Sequence, residues 1–253
     1  MGFYEEIAPY YDYIFPAGEE QLRLISEVAG KPPKRILDIA CGTGAYSVRL
    51  ALSGHEVWGM DADSEMIRRA GLKAAENNVP VRFFVGDMLE LDKGIEGADS
   101  AGKRFDCIFC IGNSVVHLGS VDAIRTAVIK MKEQMVPGGS IVLQIINFDR
   151  VLEKGVTSLP TLTNKDIGLV FQRNYTRDEN TGLIFFDTVL SVEGEAGPAR
   201  FGNRVELFPL TSSMLRDILT DAGFDSFAFF GDFGRSSYIP GESFMLVAVI
   251  PGR

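Results

Sequence analysis

The feature that most constrains this chain is an alternation of short apolar runs and helical patterns over its first 146 residues. The runs are rich in aliphatic, β-branched and aromatic residues, and glycine or proline often interrupts the chain between them. Strands and helices that alternate in this way predict parallel strands joined by right-handed crossovers, with helices on both faces of the sheet. The predicted strands are 35–40, 56–61, 81–85, 105–111 and 140–146.

The clearest helical pattern lies between the fourth and fifth of these runs. Its apolar residues follow a spacing of three and four and form one stripe, which is typical of a helix packed on a sheet. A Pro-Gly-Gly sequence at 137–139 ends the pattern and leads into the fifth strand. Earlier helices are predicted at 44–53 and 64–77. The stripe consists of Val121, Ile124, Val128, Met131 and Met135.

After residue 147 the alternation stops. Strand-like stretches at 168–175 and 183–192 flank a turn sequence at 178–182, which predicts a hairpin. We therefore expect residues 148–209 to form an antiparallel insertion.

The end of the chain returns to the main sheet. Thr211 is expected to cap a helix that Gly223 closes. Two strands at 226–232 and 243–250, joined by a short connection, predict an antiparallel hairpin at the sheet edge. The polar, glycine-rich stretch 93–103 is predicted to be a mobile loop.

Charge and composition limit the classes of function. The formal net charge of -9 disfavours a nucleic-acid binder, because neutralisation of phosphates supplies most nonspecific affinity. No apolar run approaches the roughly 18–20 residues that span a bilayer, and the N-terminal sequence does not resemble a signal peptide. The chain has 3 cysteines, an odd number, and all are in apolar segments, which favours a reducing compartment. We expect a cytoplasmic protein that binds neither nucleic acid nor membranes.

The Cys-x-x-Cys sequence formed by Cys107 and Cys110 lies in the fourth predicted strand. Side chains three residues apart on a strand point to opposite faces, so these thiols cannot share one metal ion. No metal site is expected. His55 precedes the second strand and is expected to be exposed.

Candidate ligand-binding residues follow the first three predicted strands. Gly42 and Gly44 lie between strand and helix, where glycines let the backbone approach a ligand and leave helix N–H groups free to face it. Asp61 ends the second strand and can accept hydrogen bonds from both hydroxyls of a ribose. Asp87 follows the third strand and can accept from an adenine amino group, while Met88 offers its backbone N–H to the ring. The carboxyl ends of parallel strands share one edge, so these residues are expected to converge.

These motifs resemble the class I S-adenosylmethionine-dependent methyltransferases over about residues 30–150, and more loosely over 210–250. The family's first motif is an acid followed three residues later by Gly-x-Gly, and here it is Asp38, Gly42 and Gly44, with Ala40 where glycine is commonest. Asp61 and Asp87 match its acids after strands two and three. The segment 111–118 is similar to small-molecule N-methyltransferases of the glycine/sarcosine kind, and 137–139 resembles the turn before the family's fifth strand.

The resemblance implies a Rossmann-like α/β fold: a doubly wound, mostly parallel seven-stranded sheet whose last strand is antiparallel, here with the antiparallel β insertion. It implies N-terminal lid helices at 1–30, a core at 31–147 and 210–253, and an insertion at 148–209 that contributes to the acceptor pocket. The implied cofactor is S-adenosylmethionine, with S-adenosylhomocysteine as product and no metal. The implied cofactor-binding residues are Asp38, Ala40, Gly42, Gly44, Asp61, Ala62, Met66, Asp87, Met88 and Ile111.

A nicotinamide cofactor fits this loop less well. The Gly-x-Gly-x-x-Gly pattern fails at its last position, where Ser47 stands. Asp38 would repel a pyrophosphate, whereas it attracts the ammonium group of a methionine directly or through water.

Three residues are candidates for contact with the methyl acceptor. Tyr11 lies in the tyrosine-rich segment 4–13, which resembles the lid of small-molecule members, although its rings can equally pack that lid onto the core. His117 and Asn113 follow the fourth strand, where the family places its acceptor. His117 is either a base or orienting group or a structural histidine, and Asn113 can hold an acceptor through its side chain.

The insertion also contains polar residues that can face a pocket. They can bind an acidic substrate, although a solvated strand face is the favoured alternative. These residues are Arg173, Tyr175, Arg177, Arg200 and Arg204.

Methyl transfer needs alignment of a nucleophile with the S–C bond more than a catalytic triad, so the absence of a recognisable triad is expected. We expect an enzyme that methylates a small molecule, on nitrogen rather than oxygen, and a homodimer is left open as its assembly. Two alternatives remain open at the sequence level: a protein that binds S-adenosylmethionine without transferase activity, and a methyltransferase that acts on RNA or protein. The fold alone does not choose among them.

Overall fold

The computed structural model describes residues 7–98, 104–194 and 197–252. Residues 1–6 of the predicted lid and 99–103 of the predicted loop lie outside the described residues. The described strands form two sheets, one of seven strands and one of four. They are β1 (Arg35–Ile39), β2 (Glu56–Asp61), β3 (Val81–Val85), β4 (Phe105–Cys110), β5 (Met135–Ile146), β6 (Ser158–Asn164), β7 (Leu169–Arg177), β8 (Ile184–Gly194), β9 (Gly197–Leu207), β10 (Ala228–Phe230) and β11 (Met245–Pro251).

The large sheet has the order β10-β11-β5-β4-β1-β2-β3. Strands β1 to β5 pair in parallel, as expected for strands separated by helical crossovers. Strand β11 is antiparallel to both β5 and β10. The predicted doubly wound, mostly parallel seven-stranded fold is therefore confirmed, including its antiparallel last strand.

Helices cover both faces of this sheet. Helices α2, α3 and α4 lie on one face, and α5, α6 and α8 on the other. Among the described residues, no helix combines the length and apolarity required to cross a bilayer. The helices are α1 (Tyr11–Ile14), α2 (Glu19–Ala29), α3 (Ala45–Leu52), α4 (Ser64–Glu76), α5 (Leu91–Ala98), α6 (Val121–Glu133), α7 (Phe148–Lys154) and α8 (Ser212–Asp221).

Separate apolar clusters fill the two sides of the sheet. Trp58 is buried on one side, with its ring edge-on to Phe84 and Phe105. Cys110 belongs to this cluster, whereas Cys107 belongs to the cluster on the other side, so the expected opposite orientation is confirmed. Burial raises the pKa of the Cys107 thiol to about 12 and also raises that of Cys110. Both are buried free thiols.

The start of β5 differs from the sequence prediction. The strand begins at Met135, before the Pro-Gly-Gly sequence, and the pairing with β4 shifts between Phe105 and Cys107. Residues 136–139 bulge out there. Gly138 has a φ of +76°, and a side chain at Gly139 would contact three backbone carbonyl oxygens. The glycines therefore form a bulge within the strand rather than a turn before it.

The prediction of a loop at 93–103 is wrong for its first part, because residues 91–98 form α5. Leu91 and Ile95 are four residues apart and buried, which places them on one helical face. A side chain at Gly94 would lie 3.0 Å from the Phe84 ring, so this glycine allows close packing. At Gly94, the glycine therefore reflects close packing of a helix and not a loop.

His55 is buried rather than exposed, with 7% of its surface accessible. Its backbone N–H donates to the Leu50 carbonyl oxygen. Burial lowers the pKa of the imidazole. The expectation of exposure is therefore wrong, because the α3–β2 turn folds this residue back onto the protein.

The smaller sheet has the order β6-β7-β8-β9 and is antiparallel throughout. The predicted hairpin turn at 178–182 is confirmed: the Gly182 N–H donates to the Asp178 carbonyl oxygen, and Asp178 N–H to that of Leu183. At the same end as this turn the sheet is tied to the core, because the Phe208 N–H donates to the Val116 carbonyl oxygen over 2.8 Å.

Replacement of Gly44 or Gly71 by alanine is expected to change the free energy of unfolding in opposite directions. Gly44 has a φ of +71°, and its methyl would lie 2.7 Å from Phe83 Cζ, whereas nothing lies within 4 Å of that position at Gly71 in α4. We expect Gly44→Ala to lower the free energy of unfolding by about 2–4 kcal/mol through strain and overpacking. Gly71→Ala should raise it by about 0.5–1 kcal/mol. Urea denaturation measures both, and equal effects would contradict the packing described for Gly44.

Candidate functional site

A cavity of about 330 Å³ lies at the carboxyl ends of β1, β2 and β3. The parallel pairing of these strands brings the residues that follow each of them to one edge. The segments after β4 and in α1 complete its wall. The lining residues are Tyr11, Ala40, Gly42, Met60, Asp61, Ala62, Met66, Gly86, Asp87, Met88, Gly112, Ser114, His117 and Leu118.

The loop after β1 contains three residues with left-handed backbone conformation. Ala40, Gly42 and Gly44 have φ values of +59°, +53° and +71°. This conformation is accessible to glycine but costs about 1–2 kcal/mol for a residue with a Cβ, so the backbone at Ala40 is strained in a way that a glycine would avoid. The folded-back loop lets backbone, rather than side chains, form this wall of the cavity.

Asp61 connects the loop to the end of β2. Its Oδ2 accepts a hydrogen bond from the Gly42 N–H over 2.8 Å, and its Oδ1 accepts from the Asp63 N–H over 2.9 Å. Burial raises the pKa of the carboxyl, and these hydrogen bonds act in the opposite direction. A carboxylate has about four acceptor positions, so these backbone hydrogen bonds leave it capacity to accept from a ligand.

Asp87 and Met88 form the third part of the edge. Asp87 Oδ1 accepts from the Leu89 N–H over 2.8 Å and caps a short 3-10 helix, Met88–Glu90. This cap fixes the direction in which the chain leaves β3. Asp87, Met88 and Gly86 consequently line the cavity together.

Asp38 is buried behind the cavity rather than in its lining. It is 2% exposed, and its Oδ2 accepts a hydrogen bond from the Ser47 hydroxyl over 2.6 Å. Burial raises the pKa of this carboxyl, the Ser47 hydrogen bond opposes that effect and the nearby Asp61 charge adds to it, so that the pKa is raised to about 8. Ser47, which breaks the dinucleotide-binding pattern, thus holds the acid of the loop in place.

The segment after β4 supplies the wall opposite the glycine loop. A 3-10 helix, Ser114–Leu118, presents Ser114, His117 and Leu118 to the cavity. The His117 side chain is exposed at the cavity, and partial loss of hydration there lowers the pKa of its imidazole. The imidazole is therefore mostly neutral at physiological pH and able to accept a proton.

Asn113 has a structural contact instead of a place in the lining. Its Oδ1 accepts from the Ile146 N–H over 2.9 Å, which joins the ends of β4 and β5. Its φ of +69° turns the chain into the 3-10 helix. Gly44 and Ile111 likewise lie outside the lining, Gly44 packed against Phe83 and Ile111 buried in the core.

Five lining residues were not among the predicted cofactor-binding or catalytic residues: Met60, Gly86, Gly112, Ser114 and Leu118. Met60 and Gly86 lie at the carboxyl ends of β2 and β3, and the other three lie in the segment that follows β4. Extending each strand-end motif by one or two residues would have found them.

Tyr11 forms the cover of the cavity. A Cβ at Gly42 would lie 3.0 Å from its ring, so the absence of a side chain at Gly42 permits this contact. The Tyr11 ring also packs on Phe15, whose ring meets Phe171 of β7 edge-on. The N-terminal segment, residues 7–15, thus contacts both the loop after β1 (residues 40–44, the glycine loop) and the small sheet.

The inner face of the small sheet contains one polar row between two apolar rows. Arg173, Thr188 and Asn203 are neighbours across β7, β8 and β9. Phe171 and Leu190 lie in the row on one side of them and contact the N-terminal segment. The row on the other side, which includes Tyr175 and Phe186, packs into the main core.

Two polar atoms in this row are buried without a hydrogen-bond partner: Arg173 Nε and Thr188 Oγ1. Thr188 is 3% exposed, and burial lowers the pKa of the Arg173 guanidinium. Arg204, in contrast, faces outward and binds Asp187 through two nitrogens. Of the two interpretations of these arginines, the solvated strand face therefore fits Arg204, whereas Arg173 lies on the inner face of the sheet.

A second cavity, of about 440 Å³, lies at the opposite edge of the sheet and includes Lys132 and Pro137. The Lys132 ammonium donates to the carbonyl oxygens of Ala222 and Gly223. Its charge is thus occupied in closing the end of α8. The converging carboxylates are all at the other edge, which favours the smaller cavity as the functional site.

The buried Asp38 carboxyl predicts a pH-dependent stability. Its folded pKa of about 8 exceeds the ordinary value of 3.8, so the unfolded chain releases this proton at lower pH than the folded protein does. Between about pH 5 and 7.5 the unliganded protein should lose stability as pH rises, by up to about 1 kcal/mol per pH unit relative to Asp38→Asn. The free energy of unfolding of both proteins should be measured by urea denaturation as a function of pH. If it changes with pH equally in the wild type and in Asp38→Asn, Asp38 is ionised throughout this range and the prediction is wrong.

The known proteins to which this chain is similar are methyltransferases. A family model described as a methyltransferase domain matches residues 36–139. The glycine/sarcosine N-methyltransferase of Halorhodospira halochloris is 28% identical over 232 residues, covering 92% of this chain and 81% of that protein. The protein of the same description from Aphanothece halophytica is 28% identical over 200 residues, covering 79% and 69%.

Similarity to solved structures extends over nearly the whole chain. An S-adenosylmethionine-dependent methyltransferase from Clostridium acetobutylicum superposes with a TM-score of 0.79 at 15% identity, covering 99% of each chain. At such identity the similarity concerns the fold. The loop motif, the acids after β2 and β3, the strand order and the matched methyltransferase domain together support a class I S-adenosylmethionine-dependent methyltransferase.

Proposed function

We propose that this enzyme transfers a methyl group from S-adenosylmethionine to the nitrogen of a small amine that also carries a carboxylate. The observation that carries the proposal is the incompletely bonded pair Arg173 and Thr188 on the inner face of the small sheet. Arg173 Nε and Thr188 Oγ1 are buried without a partner, although Arg173 Nη2 donates to the Pro160 carbonyl oxygen over 2.7 Å. A partly buried guanidinium that has no anionic partner among the described residues gains from a ligand that supplies one. The relatives named above act on glycine and sarcosine, which are amino acids and carry a carboxylate.

The cofactor is assigned to the cavity at the strand ends. Asp61 would accept from the ribose hydroxyls through its remaining acceptor positions. Asp87 would accept from the adenine amino group, with the Met88 backbone N–H directed at the ring. Ala40, Gly42, Ala62 and Met66 line the same cavity and would pack against the ligand.

Asp38 would attract the cofactor's positive charge without contacting the cofactor, because it does not line the cavity. A bound ammonium or sulfonium nearby favours the ionised carboxylate and so lowers its raised pKa. Gly44 and Ile111 would support the pocket from behind. Ser47 would keep the carboxylate oriented through its 2.6 Å hydrogen bond.

The acceptor would lie between Tyr11 and His117, beneath the small sheet. Its carboxylate would bind Arg173, with Thr188 and Asn203 as further polar partners, and its nitrogen would face the methyl group. The polar row is well placed for this, because the row on one side contacts the segment containing Tyr11 and the end of β9 contacts the 3-10 helix containing His117.

The reaction itself is an in-line displacement. The nitrogen lone pair attacks the methyl carbon as the S–C bond breaks, and the sulfonium becomes the neutral thioether of S-adenosylhomocysteine. The amine loses one proton, and His117 is the proposed acceptor because it lines the cavity and its lowered pKa keeps the imidazole mostly neutral. Asn113 would position the 3-10 helix through Ile146.

The cofactor assignment predicts a large effect at Asp61. Asp61→Ala removes an acceptor for two ribose hydroxyls and also releases the Gly42 N–H, so we expect the affinity for S-adenosylhomocysteine to fall about 100-fold or more. Asp106→Ala is the control: that carboxylate also binds a backbone N–H and a lysine, but at the opposite edge of the sheet. Calorimetric titration should show unchanged affinity for the control. An Asp61 variant that folds and binds normally would contradict the ribose assignment.

The acceptor assignment predicts selectivity for amino acids. Formation of S-adenosylhomocysteine should be measured with small amino acids and with matched amines that lack the carboxylate. Arg173→Met should raise the KM for the amino acid about 10- to 100-fold and change kcat less, since it removes charged hydrogen bonds to the substrate. Arg204→Met, in the same sheet but on its outer face, should behave as wild type. Turnover of the matched amine alone, or an unchanged KM in the Arg173 variant, would overturn the proposal.

A further inference from the structure

We propose that Asp12, Thr43 and Lys73 form a latch that holds the N-terminal segment over the cofactor and sets the rate at which the cofactor product leaves. These are positioning residues, since none of them lines the cavity. The inference rests on the cofactor assignment made above but not on the identity of the acceptor.

The three side chains come from separate parts of the chain and converge. Asp12, in α1, pairs with the Lys73 ammonium of α4 over 2.6 Å. The Thr43 hydroxyl, in the glycine loop, donates to the other Asp12 oxygen. Lys73 Nζ also donates to Thr43 Oγ1 over 3.0 Å. Each member therefore contacts the other two.

The latch is directly coupled to the cavity wall. Thr43 is 3% exposed and lies between Gly42, which lines the cavity, and Gly44. Asp12 is adjacent to Tyr11, whose ring lies against Gly42. Loss of the Asp12 contacts would therefore release Tyr11 from the cavity, and any ligand that fills the cavity also contacts Tyr11.

The other buried contacts of this segment are with the small sheet. Ile7 and Ile14 join Leu169, Phe171 and Leu190 in one apolar cluster. Apolar packing on that sheet and a polar link to the glycine loop are different kinds of attachment. The polar link is the weaker in water, so it is the contact expected to open and close.

The test measures dissociation of S-adenosylhomocysteine, in the absence of any acceptor, from the full chain and from Asp12→Asn, Lys73→Met and the double variant. Each single change should raise the dissociation rate about fivefold, the effect of one partly exposed ion pair. The double variant should be no faster than the faster single variant, because both changes remove the same interaction. Added salt should speed dissociation from the wild type and have less effect on the variants.

Glu19→Gln is the matched control. Glu19 pairs with Arg49 over 2.6 Å and also joins an N-terminal helix to the core, but it does not contact the glycine loop. Its dissociation rate should equal that of the wild type. Thr43→Val should act like Asp12→Asn, whereas Thr43→Ser, which keeps the hydroxyl, should retain the wild-type rate.

Unchanged rates in the Asp12 and Lys73 variants, additive effects in the double variant, or an equal effect of Glu19→Gln would overturn the latch. Urea denaturation of each variant separates loss of fold from loss of the latch. Arg173→Met should not change this dissociation rate. Failure of the amino-acid substrate assignment would therefore leave the result for the latch intact.

Discussion

The site depends on one hydrogen bond, from the Gly42 N–H to Asp61 Oδ2. It joins the loop after β1 to the end of β2 and so fixes the distance between two walls of the cavity. The Cys41 N–H adds a second link by donating to the Met60 carbonyl oxygen. With these links, the left-handed residues of the loop are held in one conformation before a ligand arrives. A pre-formed site avoids the entropic cost of ordering a loop on binding.

The same loop contains an unfavourable feature, the buried Asp38. Burial of its carboxyl opposes ionisation, and the proximity of Asp61 adds to this effect. A group with a strongly raised pKa behind a cavity is characteristic of functional sites rather than of stable cores. The Ser47 hydroxyl partly compensates by donating to it. A cationic ligand bound in the cavity would favour ionisation of Asp38 and would then be attracted by its negative charge.

The sequence predicted the main sheet well, because parallel strands buried on both faces leave continuous apolar runs that periodicity detects. The convergence of the candidate residues on one cavity at the strand ends followed from the topology. Prediction was weaker where burial depends on partners distant in sequence. Strand β6 lacks an apolar run and contains Pro160, so the pattern did not indicate it. The buried state of His55 and the helix at Leu91–Ala98 also depend on tertiary packing.

The arginines of the insertion show this limit most clearly. Arg173 and Arg204 look alike in the sequence, yet one faces the interior and the other faces solvent. Strand alternation decides which face each occupies, and it can be applied only when the register across β7, β8 and β9 is known. The contact of Asn113 with Ile146 is similar, since it depends on the alignment of β4 with β5. Such side-chain directions are set by pairing rather than by local sequence.

The burial of all three cysteines has a practical consequence. Burial raises the pKa of each thiol, so alkylating reagents, which attack thiolates, have neither access to these sulfurs nor a reactive form of them. The native cysteines are therefore expected not to react in a chemical labelling experiment. A single cysteine introduced on the exposed surface of the N-terminal segment would accept a fluorophore at one defined position, and movement of that segment would become visible without removing any native residue of the core.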